Sequence, residues 1–255
     1  MENTTMENTR AKTTRNSLIL LLTATIWGMA FVSQSKGMDY MHPFTFNGVR
    51  SLIGAAGILV YILISRKIAG DKAAPLDWKL NVKAGLLCGI FLTIASTLQQ
   101  FGIKYTSVGK AGFITTLYII FVPMFGIFLK KKVAPVVWAA AVMAAVGMYL
   151  LCMTESLRLG AGDIMVFLCA IAFAIQIMTV DHYAARIDGA VVSCIQFTVC
   201  GVVCCIGALI WGQPTFGQLQ EGLGALLYAG VLSCGVGYTL QIVGQKGLNP
   251  TVAAL

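Results

Sequence analysis

Residues 97–104 read TLQQFGIK, and residues 239–246 read TLQIVGQK. Thr, Leu, Gln, Gly and Lys recur in register at an offset of 142 residues (239 − 97). Both phrases are polar text in oily surroundings, so their meaning depends on those surroundings. Of 255 residues, 58% are hydrophobic and only 11% are Asp, Glu, Lys or Arg, against about 25% in soluble domains. That is too little charge to cover a soluble fold of this size, so the solvent is a bilayer. A spanning helix needs about 20 mostly apolar residues, because about 30 Å of hydrocarbon is crossed at 1.5 Å per residue.

Eight stretches qualify: 18–35, 44–65, 84–103, 111–129, 134–153, 162–181, 189–211 and 222–245. A ninth begins near 251. The first has no small-x-small cleavage site and is followed by further spans, so it reads as span one rather than a signal peptide. The expected fold class is an all-α polytopic membrane helix bundle. Small residues one turn apart, Gly85 with Gly89 and Ala141 with Ala145, let helix backbones approach in lipid. The eight cysteines lie in or at the ends of apolar stretches with no C-x-x-C pair, and there are two histidines. The cysteines read as small apolar filler, and no metal or other cofactor is expected.

Basic residues near span ends favour the cytoplasmic side. Arg10, Lys12 and Arg15 precede span one; Arg66, Lys67, Lys72, Lys79 and Lys83 follow span two. Lys130, Lys131 and Lys132 follow span four, Arg186 follows span six and Lys246 follows span eight. Those thirteen share one side, whereas Lys36, Lys104, Lys110 and Arg158 share the other. The N-terminus is therefore expected in the cytoplasm, with the protein multi-pass in the plasma or inner membrane. The net charge of +8 describes this topology and not a nucleic-acid surface.

The first TLQ phrase closes span three and the second closes span eight. Five spans on, the chain runs in the opposite direction, so Gln99 falls in the outer half and Gln241 in the inner half. Repetition with reversed direction is the mark of inverted-topology repeats, common in secondary transporters. With four extra residues in one loop, span one aligns with span six and span two with span seven. Gln34 then matches Gln176, and Arg50 matches Gln196. The expected domains are a cytoplasmic tail at 1–16, a first repeat of five spans at 17–153, and a second repeat at 162–255. The second holds spans six to eight and the start of a ninth. By repeat logic about 40 further residues (153 − 113) would complete it, so the chain is expected to be a fragment. The alternative is a shorter carrier completed as a homodimer.

At this point the chain resembles the ten-span drug/metabolite transporter superfamily of the EamA type. The resemblance rests on ATIWGMAFV (24–32), HPFTFNGVR (42–50), AGFITTLYIIFVPMF (111–125) and WAAAVMAAVGMYLL (138–151), in that order. It implies ten helices around a central substrate cavity and transport without ATP hydrolysis. Family members often carry Gly-Glu after span four, where this chain has LKKKVAP (129–135); no role is carried over for that Glu.

Polar residues inside spans are costly unless they meet a partner or a wet cavity. Thr23, Trp27, Ala30 and Gln34 share one face of span one by helical spacing. Trp27 either stacks on an organic substrate or packs beside Gly28; Gln34 lines a cavity or meets water. Arg50, about 9 Å into span two by helical rise, either snorkels to the headgroups, attracts an anionic substrate or pairs with a carboxylate. Gln99 in span three, Gln176 in span six, and Tyr238 and Gln241 in span eight are further candidates, set against plain interhelical hydrogen bonding. Span four offers Thr115, Thr116 and Tyr118. It also holds Pro123, whose ring removes a backbone hydrogen bond near Ile119 and suits a hinge.

No acid sits at mid-span, so proton coupling has no visible carrier. There is no H-E-x-x-H, G-x-S-x-G or G-x-x-x-x-G-K-[ST], so neither an enzyme nor an ATP-driven pump is expected. The expected function is a secondary carrier that moves a small metabolite or drug-like solute by alternating access. A non-transporting receptor or accessory subunit is the alternative. The expected partners are a small-molecule solute and the lipid bilayer.

Overall fold

The computed structural model describes residues 2–70, 75–128, 135–152, 160–245 and 248. The helices are α1 (Glu2–Tyr40), α2 (Pro43–Ala69), α3 (Trp78–Tyr105), α4 (Val108–Thr116), α5 (Tyr118–Phe128) and α6 (Pro135–Cys152). They continue as α7 (Ala161–Tyr183), α8 (Gly189–Gly207), α9 (Phe216–Glu221), α10 (Leu223–Leu227) and α11 (Tyr238–Gln245). π-helical turns at Ala208–Gly212 and Tyr228–Gly237 extend α8 and join α10 to α11.

Among the described residues, seven helical stretches are long and apolar enough to cross a membrane. They run over Thr13–Tyr40, Pro43–Ala69, Trp78–Tyr105, Val108–Phe128, Ala161–Tyr183, Gly189–Gly212 and Leu223–Gln245. α6 occupies the remaining predicted stretch. Lys72, Lys130, Lys131, Lys132, Arg158, Lys246 and the ninth stretch lie outside the described residues, as does the side chain of Ala145.

Most of these helices overrun the apolar stretch at one end or both, because their caps are polar. His42 Nδ1 accepts from the Phe44 N–H at 3.3 Å, with Pro43 at the first helical position of α2. Asp77 accepts from the Leu80 N–H at 3.0 Å and starts α3. Ser107 starts α4 and Asp188 starts α8 in the same manner. α2 ends at Gly70, whose φ of +52° only glycine adopts readily. Apolar text marks the hydrocarbon crossing, and the capping chemistry marks where the helix meets water.

The bundle is polar inside and oily outside. Leu63, Ile68, Leu209 and Trp211 face outward, exposed between 61% and 81%, whereas Gln100, Gln176 and Gln196 are fully buried. A soluble domain would reverse that assignment. Helix α3 packs against α7 and α8, α2 packs against α8, and the last span packs against α1 and α2. Glycines permit the closest crossings. A Cβ on Gly85 would lie 2.6 Å from Ile195, one on Gly89 2.8 Å from Val199, and one on Gly230 2.7 Å from Ile53. Each β-branched side chain therefore sits in a notch that only glycine leaves open. Cys169, Cys200, Cys204 and Cys234 fill the central seam with Leu92, Phe173 and Phe197.

Candidate functional site

The π run in the last span creates the first wall of the site. Gly230, Gly235 and Gly237 offer no side chains against the wider coil. Trp27 lies on Gly237, where a Cβ would come within 2.7 Å of its Nε1. Its indole N–H donates to the Ser233 carbonyl at 3.4 Å. The Trp27 ring stands 4.6 Å from that of Tyr238, tilted by 53°, and Tyr238 meets Phe197 edge-on at 4.9 Å. Helix α1 is pinned further by Tyr228, whose hydroxyl donates to the Ile26 carbonyl at 3.1 Å, and by Ser33, which donates to Ala225 at 2.8 Å. Trp27 thus packs against the last span, far along the sequence.

The polar contacts around the site draw on six helices, α1, α2, α3, α4, α7 and α8. Gln99 donates to Thr115 Oγ1 at 3.3 Å, joining α3 to α4. Gln100 turns the other way and donates to the Gln34 carbonyl at 3.1 Å. Gln176 of α7 donates to Gln196 of α8 at 3.3 Å. Asn47 of α2 donates to the Ser96 carbonyl at 2.9 Å. Arg50, one turn on, is 5% exposed. Its guanidinium carbon lies 5.3 Å from the Phe46 ring centroid, and its Nε has no hydrogen-bond partner among the described residues. No carboxylate pairs with it among those residues, whereas an ion pair joins Lys110 and Asp163. Burial excludes the snorkelling reading of Arg50 and the solvent-facing reading of Gln34, which is 3% exposed.

These walls enclose a cavity of about 380 Å³, within the range of small-molecule sites. Trp27, Gln34, Arg50 and Gln99 reach it from the first three helices. Tyr118, Gln176, Tyr238 and Gln241 reach it from the fourth, sixth and last spans. These eight residues therefore share one space, with Thr115 and Thr116. The Oε1 atoms of Gln34, Gln176 and Gln241 are buried without a partner among the described residues, and such orphaned acceptors are uncommon in a packed interior. Thr23 does not join: it returns a hydrogen bond to Ile19 at 2.9 Å, and Ala24 takes its place. Phe31, Phe173 and Phe197 also line the space. Their only sequence signal is position, three or four residues along from Trp27, Gln34 or Gln176 or beside Gln196.

Span four breaks above Pro123. Helix α4 stops at Thr116, Leu117 bonds back to Ile114 at 3.2 Å, and Ile120 bonds to Leu117 at 2.9 Å. Those tight i→i−3 bonds displace the irregularity about one turn towards the cavity, while Pro123 lies buried within α5. Tyr118 is the first residue after the break and lines the cavity.

Polar contacts near the span ends tie both ends of the bundle. Asp163 accepts from Thr106 Oγ1 and from the Gly160 N–H, and meets Lys110 Nζ at 3.7 Å. At the other end, Asn81 Oδ1 accepts from the Asp188 N–H at 2.8 Å, tying α3 to the start of α8.

A polytopic helix bundle that buries amides and an arginine around a small-molecule-sized cavity is the architecture of a membrane transporter. The EamA-like transporter family profile matches residues 15–153 and again 160–255, so the chain belongs to that family, within the drug/metabolite transporter superfamily. An uncharacterized transporter of Archaeoglobus fulgidus is 31% identical over 171 residues, which are 65% of this chain and 48% of that protein. This match therefore spans about half of the relative's length. The uncharacterized transporter YwfM of Bacillus subtilis is 26% identical over 241 residues, 93% of this chain and 79% of its own. A solved crystal structure, 17% identical, superposes with a TM-score of 0.74 over 94% of this chain and 83% of its own, which speaks for the fold.

Proposed function

We propose that this chain is a secondary carrier moving a small organic solute by alternating access between two inverted repeats, 17–153 and 162–255. The observation that carries this reading is the convergence of side chains from both repeats on one cavity. Helix packing supports the pseudo-two-fold relation. Exchanging spans one, two and three for six, seven and eight turns the α3–α7 contact into that of the last span with α1. The same exchange turns α3–α8 into the last span with α2, and leaves α2–α8 unchanged. Val199, seated against Gly89, and Ile53, seated against Gly230, are equivalents at the offset that matches Arg50 to Gln196 (199 − 53 = 196 − 50). Two similar halves around one site can trade conformations, which exposes the site to each side in turn. The break at Leu117 supplies a hinge beside the cavity. The excess of basic residues on one side supports a cytoplasmic N-terminus in a cell membrane.

The test is a solute uptake and efflux panel in proteoliposomes containing the full chain. At least one organic solute is expected to move. Gln99→Leu and Gln241→Leu should lower that flux by about tenfold or more, the order expected for a lost polar contact in a dry site, with membrane insertion unchanged. Full flux in both variants would make these amides packing elements. A chain that binds solutes and moves none would be a receptor.

A further inference from the structure

Resting on the carrier reading for its site, the charge balance of the cavity names its substrate class. Among the described residues that line it, Arg50 alone carries a formal charge. Its guanidinium stays protonated in proteins. Among the described residues no Asp or Glu lines the cavity: Asp163 is engaged by Lys110, Thr106 and Gly160, and Asp77 and Asp188 cap α3 and α8. A buried cation without a counter-ion is unfavourable, and an anion that enters removes that penalty at low dielectric. Phe46 covers one face of the guanidinium. Its planar N–H fork suits a carboxylate. The Ser51 and Ser96 hydroxyls, which both reach Cys200 Sγ at 3.4–3.5 Å, line the same part of the wall. Away from Arg50 the wall is aromatic, with Trp27, Phe31, Tyr118, Phe173, Phe197 and Tyr238.

We infer that the cavity takes organic monoanions: a single carboxylate at Arg50, an aromatic or apolar body among the rings, and no cationic group. An ammonium on the substrate would have no carboxylate to meet and would be repelled by Arg50. The site therefore separates an arylalkanoate from its amine and from its zwitterionic α-amino counterpart.

The experiment uses the full chain in nanodiscs and four probes with one phenylpropyl skeleton. They are 3-phenylpropionate, 3-phenylpropanol, 3-phenylpropylamine and phenylalanine, titrated by calorimetry. In zwitterionic lipid, 3-phenylpropionate should bind about tenfold or more tightly than each of the others. Arg50→Gln should abolish that preference, and Arg50→Lys should retain it. Should Arg50→Gln fail to fold, the ranking on the unaltered chain decides. Equal or tighter binding of the alcohol, amine or zwitterion overturns the inference, as does a preference that survives Arg50→Gln. No binding of the anion up to about 10 mM, beyond the useful affinity range of a carrier, overturns it as well. The titration is repeated in anionic lipid. Affinity within about threefold of that in zwitterionic lipid assigns the anion site to a solute; a larger loss assigns it to lipid headgroups and overturns the inference. Anion binding without flux of any solute would instead sink the carrier reading and leave this site standing.

Discussion

His42 shows how one side chain can serve a helix end and respond to pH. It stands outside the spans, caps α2, and packs 5.5 Å from Phe101 and 5.7 Å from Phe44. Burial, and then the charge of Lys104, hold its pKa below the usual histidine value of 6.5. The folded state thus favours neutral imidazole, the form whose Nδ1 can accept from Phe44. The sign follows: the unfolded chain takes up protons first as pH falls. His42 stabilises the fold fully above pH 6.5, and that contribution is lost as pH drops through the lowered value. The melting temperature in detergent should fall over this window. His42→Asn, which keeps a capping oxygen, should flatten the decline; an unchanged profile would remove His42 as its source. At this scale the sequence was informative wherever a residue broke the local rule. Gln34, Arg50, Gln99, Gln176 and Gln241 are conspicuous in apolar text because lipid penalises them. Phe31, Phe173 and Phe197 are not conspicuous, because a phenylalanine costs nothing on either side of a membrane helix.

Between elements, closeness of approach carries the stability. Without a hydrophobic drive between helices in lipid, packing and a few hydrogen bonds must hold the bundle. The Gly85 notch is a clean test, since the atoms nearest an added Cβ all belong to the Ile195 side chain, at 2.6–3.3 Å. Gly85→Ala should lower stability by about 1–3 kcal/mol through overpacking, and adding Ile195→Ala should recover part of it. Thermal unfolding of the two single variants and the double variant measures the coupling; strict additivity would mean that α3 and α8 do not meet here. Elements also hid two features from the sequence. Helical spacing places Ser233, Gly237 and Gln241 on one α-helical stripe, yet the chain is π-helical through Gly237. Proline at 123 marks an irregularity, yet the break falls at Leu117. Both depend on neighbours: Trp27 occupies the hollow at Gly237, and tight bonds around Leu117 absorb the disturbance.

For the whole molecule, orientation is the sharpest expectation. In a background with the native cysteines replaced, impermeant thiol reagents added outside should label a cysteine at Asp39 or Gly160. They should leave one at Lys72 or Lys131 unlabelled until the membrane is opened. The reverse pattern would invert the assignment of sides and, with it, the outer placement of the Asp163–Lys110 contact.

Membrane class and the approximate spans within the described residues were legible in the sequence. Each follows from local composition read against a solvent about 30 Å thick, and no contact between distant residues is needed to see it. The shared cavity was decided only by tertiary structure. Trp27 and Tyr238 lie 211 residues apart in the chain (238 − 27) and 4.6 Å apart in space. The fate of Arg50 was decided in the same way. A buried arginine and a snorkelling one share the same letter and the same depth. Their difference lies in which helices close around the guanidinium, and in the absence of any carboxylate paired with it among the described residues. Local sequence can mark a polar group as costly in lipid; only the packing of helices far apart in the chain decides what that group faces.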